Sequence, residues 1–176
     1  MISVDGNFVD AAGKIDWHLV DGAFKEYAAG FLDEVDTLIM GRVTYELMAA
    51  YWPAPETITD DPLIAARMNT LSKIVISRTL RHPLWANSSV VSGDVPAYIK
   101  NLKQQPGKAL AIFGSSRLAT SLIKHLLIDE YRIIVSPVIL GGGEKIFNDI
   151  TGRVALNLSN HRIFASGNVL LCYHPA

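Results

Sequence analysis

Residues Leu110–Leu127 read LAIFGSSRLATSLIKHLL, which joins the pattern of a buried strand to that of a helix. The apolar run Ala109–Phe113 predicts the strand. Four apolar residues then recur on one face of the predicted helix: Leu118, Leu122, Ile123 and Leu126. Between the two elements, Gly114-Ser115-Ser116 predicts a turn whose backbone N–H groups and helix dipole suit a phosphate, with Arg117 adding a cation. An ordinary β–α turn with a serine N-cap explains the same residues equally well.

Two further predicted strands also end in small and cationic residues. Thr37–Met40 is followed by Gly41-Arg42 and a helical pattern over Thr44–Ala50, and Lys73–Ser77 is followed by Arg78-Thr79. In α/β sheets the ligand lies outside the carboxyl ends of the strands, so three such turns favour a dinucleotide over coincidence. The GxGxxG fingerprint is absent, which excludes a standard Rossmann site.

The rest of the chain alternates predicted helices with predicted strands. Asp21 caps a first helix, residues 60–69 form a second, and Asp94 precedes a third. The hairpin signal Gly167-Asn168 lies within a C-terminal series of strands: Val154–Leu158, His161–Ala165 and Val169–Tyr173. This order predicts an α/β fold with a mostly parallel sheet, helices on both faces and an antiparallel C-terminal hairpin, in a single domain over residues 1–176.

Two stretches with little periodicity predict loops. Asn7–Val20 contains Gly13-Lys14 and Trp17, and it follows a short predicted strand, Met1–Val4. Gly141-Gly142-Gly143 predicts a flexible loop that lacks the spacing of a Walker phosphate loop.

Composition excludes several classes of function. Of the 176 residues, 49% are hydrophobic and 19% are charged, which is typical of a globular protein. The formal net charge is −1 without a basic stripe, which argues against nucleic acid or an anionic membrane as partner. Cys172 is the single cysteine, so no internal disulfide forms, and the five histidines are scattered without metal-ligand spacing. Without a signal-like start or a spanning apolar run, we expect a soluble cytoplasmic protein.

Several of these motifs, in this order, resemble a known superfamily. Asp36–Glu46 resembles the glycine-arginine turn of dihydrofolate reductases, and Lys73–Leu80 resembles their strand end on the adenosine side. Ile128–Tyr131 together with Pro137–Gly143 looks like the reductase half of riboflavin-biosynthesis deaminase–reductases. Further residues similar to that group are Ser3-Val4-Asp5-Gly6, Trp17 and Phe147. The resemblance covers nearly the whole chain and implies a dihydrofolate reductase-like three-layer α/β/α fold.

The resemblance also implies NADPH bound along the edge of the sheet. Arg42 and Thr44, after Gly41, would hold pyrophosphate or ribose phosphate. The group facing the adenosine 2′-phosphate would be Ser77, Arg78 and Thr79. The group cradling the pyrophosphate would be Gly114, Ser115, Ser116, Arg117 and Leu118. Trp17 is a further expected cofactor contact.

The implied chemistry is hydride transfer to a C=N or C=O bond of a small pterin- or pyrimidine-like heterocycle. Residues expected around the nicotinamide are Asp5, Trp17, Asp21, Tyr27 and Tyr45, of which Asp5, Asp21 and Tyr27 are the candidate catalytic residues. Two departures leave the substrate unnamed. The face of the first helix that carries a carboxylate in dihydrofolate reductases reads Phe24, Tyr27, Ala28 and Phe31 here. Ile112 stands where the riboflavin reductases have an acid.

Two functions of different classes fit this sequence. One is an NADPH-dependent reductase, with a proton supplied by water or Tyr27. The other is a nucleotide-binding or oligomeric module that keeps the fold without the chemistry, a reading supported by the missing carboxylate. We also expect a homodimer built partly on the C-terminal strands, with Phe164 and Tyr173 as anchors, because an apolar terminal hairpin leaves an edge that invites pairing.

Overall fold

A computed structural model describes residues 1–176, which divide into two compact units. One unit is residues 25–119, and the other combines residues 1–24 with residues 120–176. Two helices run across the unit boundaries: α1 (Gly22–Asp33) and α6 (Ser116–Lys124). No helix of the chain has the length and apolar character needed to cross a membrane.

A four-stranded, entirely parallel sheet forms the centre of the first unit. Its strands are β2 (Val35–Gly41), β3 (Ser72–Ile76), β4 (Ser88–Val91) and β5 (Ala109–Ile112). Their order is β4-β3-β2-β5, so β2 pairs with a parallel strand on each side. The register aligns Gly41 with Ile76 and Ile39 with Ile112. The carboxyl ends of β2, β3 and β5 therefore lie at one edge, as the sequence predicted.

Four helices connect these strands: α2 (Arg42–Tyr51), α3 (Pro55–Asp60), α4 (Pro62–Thr70) and α5 (Val95–Leu102). The sequence does not predict α3, because Pro53 and Pro55, which follow the helical pattern of Thr44–Ala50, are typical of a helix end. Pro55 instead occupies the first helical position, where its missing N–H is not needed. The carboxylate of Asp94 accepts a hydrogen bond from the Ala97 N–H and so caps α5.

A buried lysine anchors one side of the hydrophobic core. Lys73 is 1% exposed, and its ammonium donates to the carbonyl oxygens of Asn69 (2.9 Å), Leu71 (2.8 Å) and Ala86 (3.1 Å). The same ammonium lies 4.3 Å from the centre of the Trp85 ring. Burial lowers the pKa of Lys73 to about 8. The lysine thus satisfies carbonyls at the C-terminal end of α4, which have no partner inside the helix.

The second unit contains a two-stranded pairing that the sequence did not predict. β1 (Asn7–Val9) pairs antiparallel with β7 (Glu144–Lys145), so the start of the predicted loop Asn7–Val20 is a strand. Three residues are too few to establish a period of two, which is why no pattern was visible. Gly143 makes the pairing possible, since a Cβ at this position, with φ +121°, would overlap the Val9 carbonyl oxygen.

A three-stranded antiparallel sheet completes the second unit. Its strands are β6 (Tyr131–Val135), β8 (Leu156–Ile163) and β9 (Val169–Pro175), in the order β6-β9-β8. The predicted hairpin at Gly167-Asn168 joins β8 to β9. The two strands predicted over residues 154–165 are one strand with an irregular register between Leu158 and Asn160.

Burial in the C-terminal region agrees with some expectations and corrects others. Cys172 is buried, as expected for a small core residue. Phe164 is 3% exposed and packs edge-on against Phe24, with ring centres 5.7 Å apart, so it cannot anchor a dimer interface. Leu126, predicted on the buried face of α6, lies beyond the end of that helix and is exposed. Its φ of +54° shows that the helix ends before this residue.

The Gly143→Ala substitution is expected to lower the free energy of unfolding by several kcal/mol, because it combines a forbidden backbone conformation with overlap against Val9. Gly141→Ala is the matched control, since Gly141 has φ +70° but no atom within 4 Å of its Cβ position. That variant should lose only about 1–2 kcal/mol. Urea denaturation of both proteins measures the difference, and equal midpoints would contradict this account.

Candidate functional site

The three turns singled out in the sequence lie at one edge of the parallel sheet. Gly41 ends β2, Ser77 follows β3 and Gly114 follows Phe113 at the end of β5. Since β3 and β5 flank β2, the three turns are neighbours in space. The structure therefore brings together the three predicted phosphate turns, but Trp17, the further expected cofactor contact, belongs to the other unit.

A side-chain bridge joins two of these turns. The Gly41 N–H donates to the Ser115 Oγ at 2.9 Å, and the Ser115 hydroxyl donates to the Thr44 Oγ1, also at 2.9 Å. We call this arrangement the Ser115 bridge. It holds the N-termini of α2 and α6 side by side. The Ser115 hydroxyl was expected to contact phosphate, but it is already bonded on both sides within the protein.

The backbone at these helix starts suits an anion. Gly114 and Ser115 have φ values of +57° and +53°, and the Ser115 carbonyl accepts the Ala119 N–H, the first bond of α6. Gly41 precedes α2 without any side-chain cap on the helix. The first N–H groups of an α-helix lack partners within it, and the helix dipole adds partial positive charge. Two such N-termini side by side can bind a pyrophosphate.

Three arginines carry positive charge on this part of the chain. The Arg42 guanidinium contacts both Glu46 carboxylate oxygens, at 3.0 and 3.1 Å, in an exposed ion pair one helical turn long. Exposed pairs of this kind contribute only about 0.3–0.5 kcal/mol, so Arg42 can exchange Glu46 for a phosphate at low cost. Arg78 and Arg117 are exposed and make no ion pair.

The turn after β3 is closed by its own serine. The Ser77 Oγ accepts hydrogen bonds from the backbone N–H groups of Thr79 (3.1 Å) and Leu80 (3.0 Å). This arrangement fixes the loop and leaves Arg78 and the Thr79 side chain exposed at its tip. Arg78 is therefore the group of this turn best placed to reach a phosphate.

Two predicted residues have side chains in the core. Leu118 of α6 is buried, so only its backbone N–H is available to a ligand. Tyr45 was expected to line a pocket near the nicotinamide. It is instead buried within α2, and its hydroxyl accepts a hydrogen bond from the backbone N–H of Trp85 at 2.9 Å. That expectation is corrected: Tyr45 holds α2 to the segment that carries Trp85.

An aromatic row runs from α1 to the end of β5. The rings of Tyr27 and Phe31 are stacked with centres 6.4 Å apart, and Phe31 lies 5.8 Å from Phe113. All three side chains are half-buried, and Phe113 directly precedes Gly114. Sequence reasoning placed Tyr27 and Phe31 on one helix face, but it treated Phe113 only as the end of an apolar run.

Asp5, in the second unit, accepts four hydrogen bonds. Its donors are the Ser3 hydroxyl (2.7 Å), the Asn7 amide (3.0 Å) and the backbone N–H groups of Leu140 (3.1 Å) and Gly141 (2.9 Å). These bonds, led by the one from Ser3, lower the pKa of Asp5 to about 2. Asp5 is thus ionised at neutral pH and ties the chain's first turn to the triglycine loop.

Asp21 and Trp17 also belong to the second unit. The Asp21 carboxylate caps α1 through the Phe24 N–H and accepts the Ser166 N–H, both at 2.7 Å. The bond from Phe24 is the main cause of its lowered pKa. The Trp17 indole donates to the Lys14 carbonyl at 3.2 Å. Roles for Asp5, Asp21 and Trp17 at the nicotinamide stay predictions.

Low pH is expected to lower the free energy of unfolding of the protein, because Asp5 becomes protonated. A carboxyl whose pKa is lowered on folding stabilises the fold above its unfolded pKa of 3.8 and loses this contribution as the pH falls toward about 2. We expect Asp5→Asn to be less stable than wild type at pH 6, with the difference shrinking as the pH falls from 4 to 2. Thermal unfolding at several pH values measures it, with Asp16→Asn, on an exposed residue, as the control. A difference independent of pH would contradict the assigned role.

Comparison with known proteins identifies the family and the fold of the chain. The family model for the RibD C-terminal domain matches residues 1–171. The uncharacterized protein YyaP of Bacillus subtilis is 30% identical over 173 residues, covering 98% of this chain and 90% of YyaP. A protein of Shewanella sp. PV-4 named for riboflavin biosynthesis superposes with a TM-score of 0.77 at 24% identity, covering 99% of this chain and 95% of that one.

Dihydrofolate reductase from Enterococcus faecalis, solved in complex with NADP(H) and RAB-propyl, superposes with a TM-score of 0.65 at 18% identity. That match covers 99% of this chain and 92% of the reductase. The predicted dihydrofolate reductase-like three-layer α/β/α fold is thereby confirmed. The chain belongs to the RibD C-terminal domain family, whose fold is that of reductases.

Proposed function

We propose that this protein is an NADPH-dependent reductase that delivers a hydride to a C=N or C=O bond of a small, flat substrate. The observation that carries the proposal is the pair of helix N-termini joined by the Ser115 bridge at the carboxyl edge of the parallel sheet. The solved dihydrofolate reductase with NADP(H) is similar in fold over nearly the whole chain, which supports the choice of nucleotide.

The nucleotide phosphates are assigned to groups of the first unit. The N–H groups at the start of α2 and α6 receive the pyrophosphate, with Gly114 allowing close approach of the backbone. Arg42 and Arg117 add side-chain contacts at these two turns. Arg78, at the tip of the turn after β3, receives the adenosine 2′-phosphate, with Ser77 and Thr79 shaping that turn. When bound, NADPH supplies the hydride for the reduction.

The aromatic row supports a flat, uncharged substrate. Tyr27, Phe31 and Phe113 pack against one another beside the strand end that leads into the nucleotide turn. Two charged residues of α1 are paired elsewhere: Lys25 pairs with Asp61, and Asp33 pairs with Arg67. The three aromatic side chains carry no charge that could pair with a charged ring. A neutral pterin- or pyrimidine-like heterocycle, stacked on these aromatics, fits this chemistry.

Proton delivery must complete the reduction, since the substrate nitrogen or oxygen gains a proton as the carbon gains the hydride. Asp5 and Asp21 are poor acids at neutral pH because hydrogen bonds to their carboxylates lower the pKa of each. We assign the proton to water or to the Tyr27 hydroxyl. The Tyr27→Phe variant, which keeps the ring and removes the hydroxyl, distinguishes the two sources.

NADPH binding and turnover test the function directly. Enhanced NADPH fluorescence on mixing reports binding, and loss of NADPH absorbance with a panel of cyclic imines, ketones and heterocycles reports turnover. Binding with turnover supports the reductase. Binding without turnover across the panel favours the noncatalytic nucleotide-binding alternative, and an absence of binding contradicts both.

Arg78→Ala is expected to reduce the preference for NADPH over NADH. A charge-assisted bond to phosphate contributes about 1.5–3 kcal/mol, so the affinity for NADPH should fall roughly tenfold or more while that for NADH changes little. Dissociation constants of both nucleotides measure the effect. Arg81→Ala, on an exposed arginine three residues away, is the control. Equal affinity of the wild-type protein for NADPH and NADH would contradict the assignment.

We also propose a homodimer that uses the outer edge of β8. This strand pairs only with β9, and its Leu158 and Ile163 side chains are 54% and 72% exposed. An open strand edge with apolar side chains is a template for pairing with another chain. These two residues replace Phe164 as the expected anchors, because Phe164 is buried.

The double variant Leu158→Asp/Ile163→Asp should be monomeric where the wild-type protein is dimeric, because charges on the edge oppose strand pairing. Light scattering at micromolar concentration measures the mass. Leu84→Asp serves as the control, since Leu84 is 95% exposed but lies in the other unit. A monomeric wild-type protein would overturn the proposal.

A further inference from the structure

The conformation of Ser115 has an energetic cost that calls for a compensating role. Its φ of +53° lies in the left-handed region, which costs a non-glycine residue about 1–2 kcal/mol. Glycine would adopt this conformation freely, as the preceding Gly114 does at φ +57°. A serine here is therefore explained by what its hydroxyl does.

The Ser115 hydroxyl takes part in the hydrogen bonds at the N-terminus of α2, a helix that is distant from Ser115 in the chain. In a capping box, the side chain at the third helical position bonds back to the N–H of the N-cap residue. Gly41 is the N-cap of α2 and Thr44 is its third helical residue. The Thr44 side chain does not bond Gly41 directly, because the Ser115 Oγ is inserted between them, 2.9 Å from each partner.

The insertion couples two turns that are 71 to 74 residues apart in the chain. Close packing reinforces it: a Cβ at Gly41 would lie 3.6 Å from the Ser115 Oγ, and one at Gly114 would lie 3.5 Å from the Thr44 Cγ2. The two helix N-termini are thereby held at a fixed spacing. A pyrophosphate can bond both N-termini only at the right spacing. Fixing that spacing before the pyrophosphate binds strengthens the affinity, because the two turns then need no ordering on binding.

We propose that Ser115 is a positioning residue, whose bridge to Gly41 and Thr44 sets the spacing of the two helix N-termini that receive the nucleotide. Its hydroxyl does not contact the phosphates. This inference rests on the proposed function, because it assigns Ser115 a role in binding NADPH. It also separates the contribution of Ser115 from that of Ser116, whose hydroxyl is not part of the bridge.

Two substitutions at the same position separate positioning from folding. Ser115→Gly removes the hydroxyl and also the backbone strain, whereas Ser115→Ala removes the hydroxyl and keeps the strain. Both variants should bind NADPH about tenfold more weakly than wild type, the effect of losing roughly one hydrogen bond. Only Ser115→Ala should show a clearly lower urea midpoint. A purely structural role would instead make affinity follow stability.

Thr44 variants test the bridge from its other end. Thr44→Ser keeps the acceptor oxygen and should bind NADPH within twofold of wild type, while Thr44→Val removes the oxygen and should weaken binding. In the Ser115→Gly background, Thr44→Val should add little, because the bridge is already lost. Ser89→Ala is the control, since the exposed Ser89 of β4 donates only to the Lys73 carbonyl of β3, away from the bridge.

The outcomes distinguish the two proposals. A wild-type protein that does not bind NADPH overturns the proposed function and this inference with it. If wild type binds NADPH and Ser115→Gly binds it equally well, the positioning role alone is wrong. Fully additive losses in the Ser115→Gly/Thr44→Val double variant would also overturn it, because they would show that the two side chains act separately.

Discussion

The parallel hydrogen bonding of β2 to β3 on one side and β5 on the other determines where the candidate site lies. β2 is the most buried strand of the chain's parallel sheet, with Leu38, Ile39 and Met40 almost fully excluded from solvent. A central strand flanked by two parallel neighbours can place its polar groups only at its ends. Gly41 is such an end, and the register of both pairings brings the turns of β3 and β5 beside it.

A second set of contacts fixes α2, the helix that begins at the candidate site. The Tyr45 hydroxyl on α2 accepts the Trp85 N–H, and the Trp85 indole donates to the Asn69 side chain at 2.7 Å. The buried ammonium of Lys73 lies over the same indole and bonds the Asn69 carbonyl. A fully buried charge is tolerated only when hydrogen bonds satisfy it, as three carbonyls do here. The face of α2 that carries Tyr45 is therefore fixed by the hydrophobic core, and the N-terminus of α2 is fixed by the Ser115 bridge.

How much of this was predictable depends on how far apart the interacting residues are in the chain. Local patterns were sufficient for the strand ends, the Asp21 cap, the helix that follows Asp94 and the terminal hairpin, because each involves residues within a few positions of one another. The pairing of β1 with β7 and the Ser115 bridge join segments far apart in sequence. A serine that bonds a glycine 74 residues away leaves no local signal. For the same reason, the sequence does not predict the bonds of Ser115 to Gly41 and Thr44.

The chemistry proposed for the site follows from how its acids are used. In the dihydrofolate reductases that the sequence resembles, a carboxylate on the first helix grips the substrate, but α1 presents Tyr27 and Phe31 there instead. Asp21, at the start of that helix, uses both oxygens to accept backbone N–H groups, and Asp5 accepts four hydrogen bonds. Carboxylates engaged in this way stay ionised and order the loops that carry them. A substrate that needs no charged partner, bound by ring stacking and reduced with a proton from Tyr27 or water, is therefore the one that this arrangement suits.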